Sequence, residues 1–163
     1  QERAAALTIL ADLLGDGTTS VLSEKLQFED KIAVYTSARY SNAMDETTFE
    51  LFVVPAPGVT LDQAEAALDD VLAEFLAKGV DRERLARVKT QLKAQQVYQR
   101  DNVFRLANRY GSALARGLTV EDVQAWPDTL QAVTSDDVMA AARAAFDRNR
   151  AVTGQLSAPE VTQ

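Results

Sequence analysis

Histidine and cysteine are both absent from this chain, and the two absences remove most of the side chains from which active sites are built. Transition metals are held mainly by His nitrogens and Cys sulfurs, and His is the usual base beside a nucleophilic Ser or Cys. No zinc centre and no Ser-His or Cys-His pair can be assembled from these residues, so no catalytic and no metal-binding residue is assigned to the chain. Carboxylates alone can hold Mg or Ca, but the D-x-[DN]-x-[DN]-G calcium loop is missing as well. Without cysteine there are no disulfides, and the redox compartment leaves no mark on the sequence.

Other absences narrow the class further. No apolar run approaches the roughly 20 residues that span a bilayer, and no charged, apolar and cleavable leader is visible. No internal repeat, low-complexity tract or linker divides the chain. The only methionines are Met44 and Met139 and the first residue is Gln1, so the sequence is expected to be a fragment or a processed product. The net charge of -7 and a sequence pI near 4.6 repel phosphate backbones, which argues against nucleic acid and leaves cationic peptides as partners.

What is present is enough for a core. At 163 residues and 47% hydrophobic, the chain has the size of one domain and can bury roughly two-thirds of its unfolded surface. Residues 3 to 14 carry Leu7, Leu10, Ala11 and Leu14 at helical spacing, with Gly15 placed as a left-handed cap. A short second helix is expected around Val21, Leu22 and Leu26. Residues 32 to 40 alternate as a strand, with Ile32, Val34, Thr36, Ala38 and Tyr40 on one side. A second strand runs from Thr47 to Val54 with Phe49, Leu51 and Val53 alternating, and Pro55 and Pro57 stop it.

Thr60 and Gln63 form a capping box for a helix that ends at Gly79. A long helical stretch then starts after Asp81, and a break near residue 101 splits it before it resumes toward Gly117. Thr119 and Thr134 precede two further helices, expected over 120–126 and 135–147, and residues 150 to 157 alternate as a last strand. The reading is an α+β domain over residues 1–157 with a mobile tail at 158–163. Its mixed or antiparallel sheet is packed by several helices. Three strands are few for so many apolar helix faces, so a first strand or strands is expected to be missing.

The segment from Leu14 through Gly15-Asp16-Gly17-Thr18-Thr19-Ser20 to Val21-Leu22, followed by Leu26 and the strand at Ile32 to Ala38, carries a resemblance. It resembles the insulinase, pitrilysin and mitochondrial-processing-peptidase family of zinc metallopeptidases. Gly117 to Asp122, and Ala132-Val133-Thr134 before the last helix, look like that family's closing portion.

The resemblance implies repeated α+β domains paired into a clam-shell around a peptide, with zinc held by an inverted H-x-x-E-H motif in one domain. That motif is absent here, so the resemblance places this chain as the C-terminal, metal-free half-domain. The implied partners are the His-bearing zinc domain of the same subunit, a second similar subunit and a peptide substrate. Zinc is then a cofactor of the parent protein and not of this chain, and a bacterial periplasmic location is a guess. The family's Arg and Tyr, seven residues apart, fall on Gln27 and Val34, so the pair is missing and Tyr35 lies one residue off. By resemblance to unlike-subunit bacterial enzymes, losing the pair implies a zinc-bearing parent; a non-catalytic scaffold or assembly subunit of the same fold is the alternative.

The candidate substrate-chamber residues are therefore Gly15, Asp16, Gly17, Thr18, Thr19, Ser20 and Gln27. Gly17 is either a bare backbone approached by a peptide or a structural turn. Asp69-Asp70 and Asp136-Asp137 sit on amphipathic helices and read as solvated or capping. Arg82, Arg84, Arg87, Lys89 and Lys93 read as an ordinary charged surface, Gln95, Gln96 and Gln99 read as an exposed helix face in preference to a chamber lining, and Trp126 reads as a core or hinge packer.

Overall fold

A computed structural model of the chain describes residues 1–42, 47–100 and 102–157, with residues 97–100 described by their backbone alone. The expected tail at 158–163 and the polar residues 43–46 lie outside the described residues. Six α-helices and a two-stranded antiparallel sheet make up the body among the described residues. The helices are α1 (Glu2–Gly15), α2 (Leu61–Lys78), α3 (Arg82–Arg100), α4 (Val103–Ala115), α5 (Val120–Ala132) and α6 (Ser135–Ala145). The strands are β1 (Ala33–Asn42) and β2 (Thr47–Pro55).

α1 is the axle of the fold. Its sequence is apolar almost all round, and a helix of that kind is stable only when surrounded. Ala5, Ala6, Ile9, Leu10, Leu13 and Leu14 are all buried, and the helix touches β1, α3, α5 and α6. The helices gather on one face of the β1–β2 ribbon, where Thr36, Ala38, Tyr40, Phe49, Leu51 and Val53 turn inward.

The register of that ribbon departs from simple alternation at one point. Ala33 pairs with Pro55 and Tyr35 with Val54, which leaves Val34 as an extra residue in a β-bulge. The inward phase therefore runs through Ala33 and Thr36, and Val34, expected on the same side as Thr36, is 56% exposed. A bulge inserts one residue and lets two neighbours share a face, which period-two counting cannot show.

Four further expectations are corrected. Gly15 does not take the left-handed conformation; the positive φ belongs to Gly17, at 75°. The helix expected over 120–126 runs on to Ala132, through Pro127. Proline lacks the N–H that would bond the carbonyl four residues back, and Arg109 Nη2 donates to that carbonyl, Val123 O, at 3.0 Å. The last helix stops at Ala145 rather than at 147. Residues 151–157 are not a strand, and a 3-10 turn at Arg148–Arg150 precedes them. The expected break in the long helix is present, with Asn102 capping α4 through its side chain on Arg105 N at 3.0 Å; Asp101 itself lies outside the described residues.

The capping boxes close as the sequence implies. Thr60 pairs with Gln63, Thr119 with Asp122 and Thr134 with Asp137, each by reciprocal side-chain to main-chain bonds. Replacing Thr134 by alanine removes the acceptor for Asp137 N (3.2 Å) and should lower stability by about 1 kcal/mol, read by urea denaturation.

Candidate functional site

The glycine-rich segment connects the end of α1 to a π-helical turn at Ser23–Glu29 that leads into β1. Its residues divide into two groups. Asp16, Gly17, Thr18 and Thr19 are exposed, while Ser20 is buried and Gly15 is closed against β1. A methyl group on Gly15 would lie 1.9 Å from Ala38 N and 2.7 Å from Ser37 C, so α1 and β1 meet here at backbone distance. A methyl group on Gly17 would meet nothing within 4 Å. The close approach thus sits at the first glycine and the special backbone angle at the second.

Gln27 also turns inward. Its Nε2 donates to Thr36 Oγ1 at 2.7 Å and to Ser23 Oγ at 2.9 Å, and the two hydroxyls lie 3.1 Å apart. Ser23 and Thr36 are both buried, so this triangle satisfies polar groups between the π-helical turn and β1. A pattern of i, i+4 polar residues facing an inward strand threonine was the available signal, and it requires knowing where the bulge sets the strand's phase.

Beside the loop lies a small recess of about 30 Å³, lined by Asp12, Asp16, Thr19 and Ser20 with Arg84 and Arg87 of α3. It has room for about one water molecule. Burial pushes the Asp12 carboxyl up to about 6, and the neighbouring Asp16 adds to the effect. Arg84 is engaged with Glu24. No group of three or more His, Cys, Asp or Glu side chains able to hold a metal occurs among the described residues, and the residues present do not fit zinc.

The open face of the ribbon is the other feature. Tyr35 and Phe52 stand on it at 52% and 56% exposure, with ring centroids 6.1 Å apart in an edge-to-face pair. Sequence reading missed this pair, because Tyr35 and Phe52 each fall on the polar side of a simple alternation. No described helix is long and apolar enough to cross a membrane.

Comparison with known proteins gives a consistent picture. No curated protein matches the chain. A protease from Helicobacter pylori superposes on 88% of this chain with a TM-score of 0.83 at 17% identity, the match spanning 34% of that protein. The inactive peptidase domain of a proposed zinc protease from Bordetella parapertussis superposes on 88% of this chain and 78% of its own length, with a TM-score of 0.78 at 21% identity. The chain therefore spans about a third of the Helicobacter protein and most of the Bordetella domain. The family profile described as the peptidase M16 inactive domain matches residues 1–92, more than half of the sequence, with the glycine loop and both strands inside it. The chain therefore belongs to the peptidase M16 inactive-domain family.

Proposed function

We propose that the chain is the chamber-forming, metal-free domain of a bacterial zinc metallopeptidase subunit that encloses and cleaves peptides. The zinc, with the His and Glu side chains that hold and use it, comes from a domain outside these residues. When bound there, the metal supplies a polarised water as nucleophile. What this chain contributes is wall.

The observation that carries the reading is the one-sided sheet. Ala38, Tyr40, Phe49, Leu51 and Val53 of the ribbon pack against the core, while Tyr35, Phe52 and Val34 are more than half exposed. An aromatic pair on an open strand surface offers apolar contact to a polypeptide without selecting its sequence. That is what a chamber for extended peptides needs. Asp16, Gly17, Thr18 and Thr19 form a second exposed edge, and we propose them as rim contacts. Gly15, Ser20 and Gln27 support the loop from within.

Because Phe52 is more than half exposed, Phe52→Ser should leave melting nearly unchanged. Peptide hydrolysis by the parent enzyme should fall in kcat/KM by about tenfold, equivalent to roughly 1.4 kcal/mol of lost binding. Unchanged hydrolysis in both Phe52→Ser and Tyr35→Ser would remove the sheet face from the chamber. A parent protein that hydrolyses nothing would leave a scaffold subunit of the same fold as the reading.

A further inference from the structure

Two carboxyl groups meet at the end of α1, where a helix favours cations. Asp12 and Asp16 stand one turn apart, with Asp16 N–H donating to Asp12 O at 3.1 Å, and the last turn of α1 contains no basic residue. Helix carbonyls leave partial negative charge at a C-terminus, and like charges four residues apart repel, so an ionised pair is disfavoured here twice over. Both carboxyl groups line the recess of about 30 Å³, and so do Arg84 and Arg87.

The charged groups facing Asp12 are Asp16 from its own turn and Arg84 and Arg87 from α3; β1, α5 and α6 also pack on α1 but place no charged side chain in the recess. Arg84 is held by Glu24 of the π-helical turn, whereas among the described residues neither Arg87 nor Asp12 belongs to an ion pair. Asp12 cannot withdraw, because Leu13 and Leu14 beside it are buried in the core. Gly15 is closed against Ala38 N and Ser20 is buried, so Asp16 to Thr19 are the residues free to move. That segment is exposed, and its main chain is held by Asp16 N–H on Asp12 O and by Ser20 N–H on Gly17 O at 3.3 Å. Gly17, with a φ of 75° and open space around it, serves as its hinge.

We propose that Asp12 is a proton-controlled latch for the rim loop. While its carboxyl is protonated, Asp16 to Thr19 stay folded over the recess; once the proton leaves for solvent, the Asp12 carboxylate repels Asp16, takes Arg87 as its counter-ion and lets the segment turn outward on Gly17. Burial first, and Asp16 second, hold the Asp12 carboxyl up to about 6. The closed loop thus binds this proton more tightly than the open one, and closure is firm at low pH and weakens as the pH rises through about 6. Anchors at Gly15 and Ser20 confine the movement to the residues proposed as rim contacts, so engagement of a peptide by the rim strengthens over the same range. That consequence for hydrolysis rests on the proposed reading of the loop as chamber rim; the movement itself does not.

Hydrogen exchange of the parent polypeptide at pH 5 and pH 7, resolved at single amides, tests the latch. After correction for intrinsic exchange, protection of the Asp16 and Ser20 amides should fall by about tenfold between the two, the change expected when the open loop holds the proton near the ordinary carboxylate value. Low urea should not add to the fall, because turning out a few exposed residues uncovers little surface. In Asp12→Asn the protection should be the same at both pH values. Constant protection in the unsubstituted protein overturns the proposal, as does an equal fall in Asp12→Asn. Exchange of both amides that quickens in low urea makes the opening global and overturns it too. Asp16→Asn should shrink the change at Ser20, and an undiminished change contradicts the repulsion on which the latch depends. Hydrolysis separates the two readings: KM of the unsubstituted parent, relative to that of Asp12→Asn, should fall from pH 5 to pH 7, and loop opening without that response removes the loop from the rim while the latch stands.

Discussion

Replacing Gly15 by alanine should destabilise the domain by about 3 kcal/mol, the upper part of the range for forcing a methyl group into a filled space. The new carbon would stand 1.9 Å from Ala38 N and 2.7 Å from Ala38 Cβ. Both atoms belong to β1, and the nearer is backbone, so no side chain can rotate away. Relief requires α1 to withdraw from the strand it packs on, and α1 is the helix around which the core is built. Gly17→Ala meets open space and suffers only from its φ of 75°, which for a residue with a Cβ costs about 1 kcal/mol. Equilibrium denaturation of the two variants should rank them in that order. The reverse order would mean that the loop is held by its turn and not by the α1–β1 contact.

Asp12→Asn should stabilise the domain above neutral pH, by on the order of 2 kcal/mol. Burial on α1, with the Asp16 carboxylate close by, raises the Asp12 carboxyl from 3.8 to about 6 in the folded state. The groups facing the same recess are Asp16 from its own turn and Arg84 and Arg87 from α3. A folded-state value above the unfolded one means that the native protein holds this proton more tightly. The ionised form therefore costs stability above about pH 6, and the penalty fades as the pH falls toward 3.8. The gain from Asp12→Asn should be full at pH 8 and absent near pH 4. A gain that stays constant across this range would place the effect in packing instead of charge.

Local chemistry was legible in the sequence wherever the signal was local. The Thr-x-x-Gln and Thr-x-x-Asp caps fix helix starts through bonds three residues apart, and α2 and α6 begin where those bonds require. The features that escaped depend on residues distant in sequence. Pro127 reads as a helix stop until Arg109 is known to bond Val123 O, and the face of Val34 depends on a pairing offset set by β2. The positive φ expected at Gly15 falls on Gly17 for the same reason, since only the fold brings Ala38 against Gly15. Residues 150–157 carry strand periodicity, but periodicity provides no hydrogen-bonding neighbour.

The candidate site was legible in part. The loop and Gln27 stand out by resemblance, yet Gln27 is committed to Ser23 and Thr36. The Tyr35–Phe52 pair emerges only once the bulge and the register are known.

The central claim is that this chain is the metal-free part of a zinc enzyme, and zinc content measured after dialysis tests it most directly. Elemental analysis of the parent polypeptide should find one tightly held zinc, and the same analysis of residues 1–163 should find none, since the chain has no His or Cys to hold it. Stoichiometric zinc on residues 1–163, or a parent polypeptide that retains no zinc, would contradict the account.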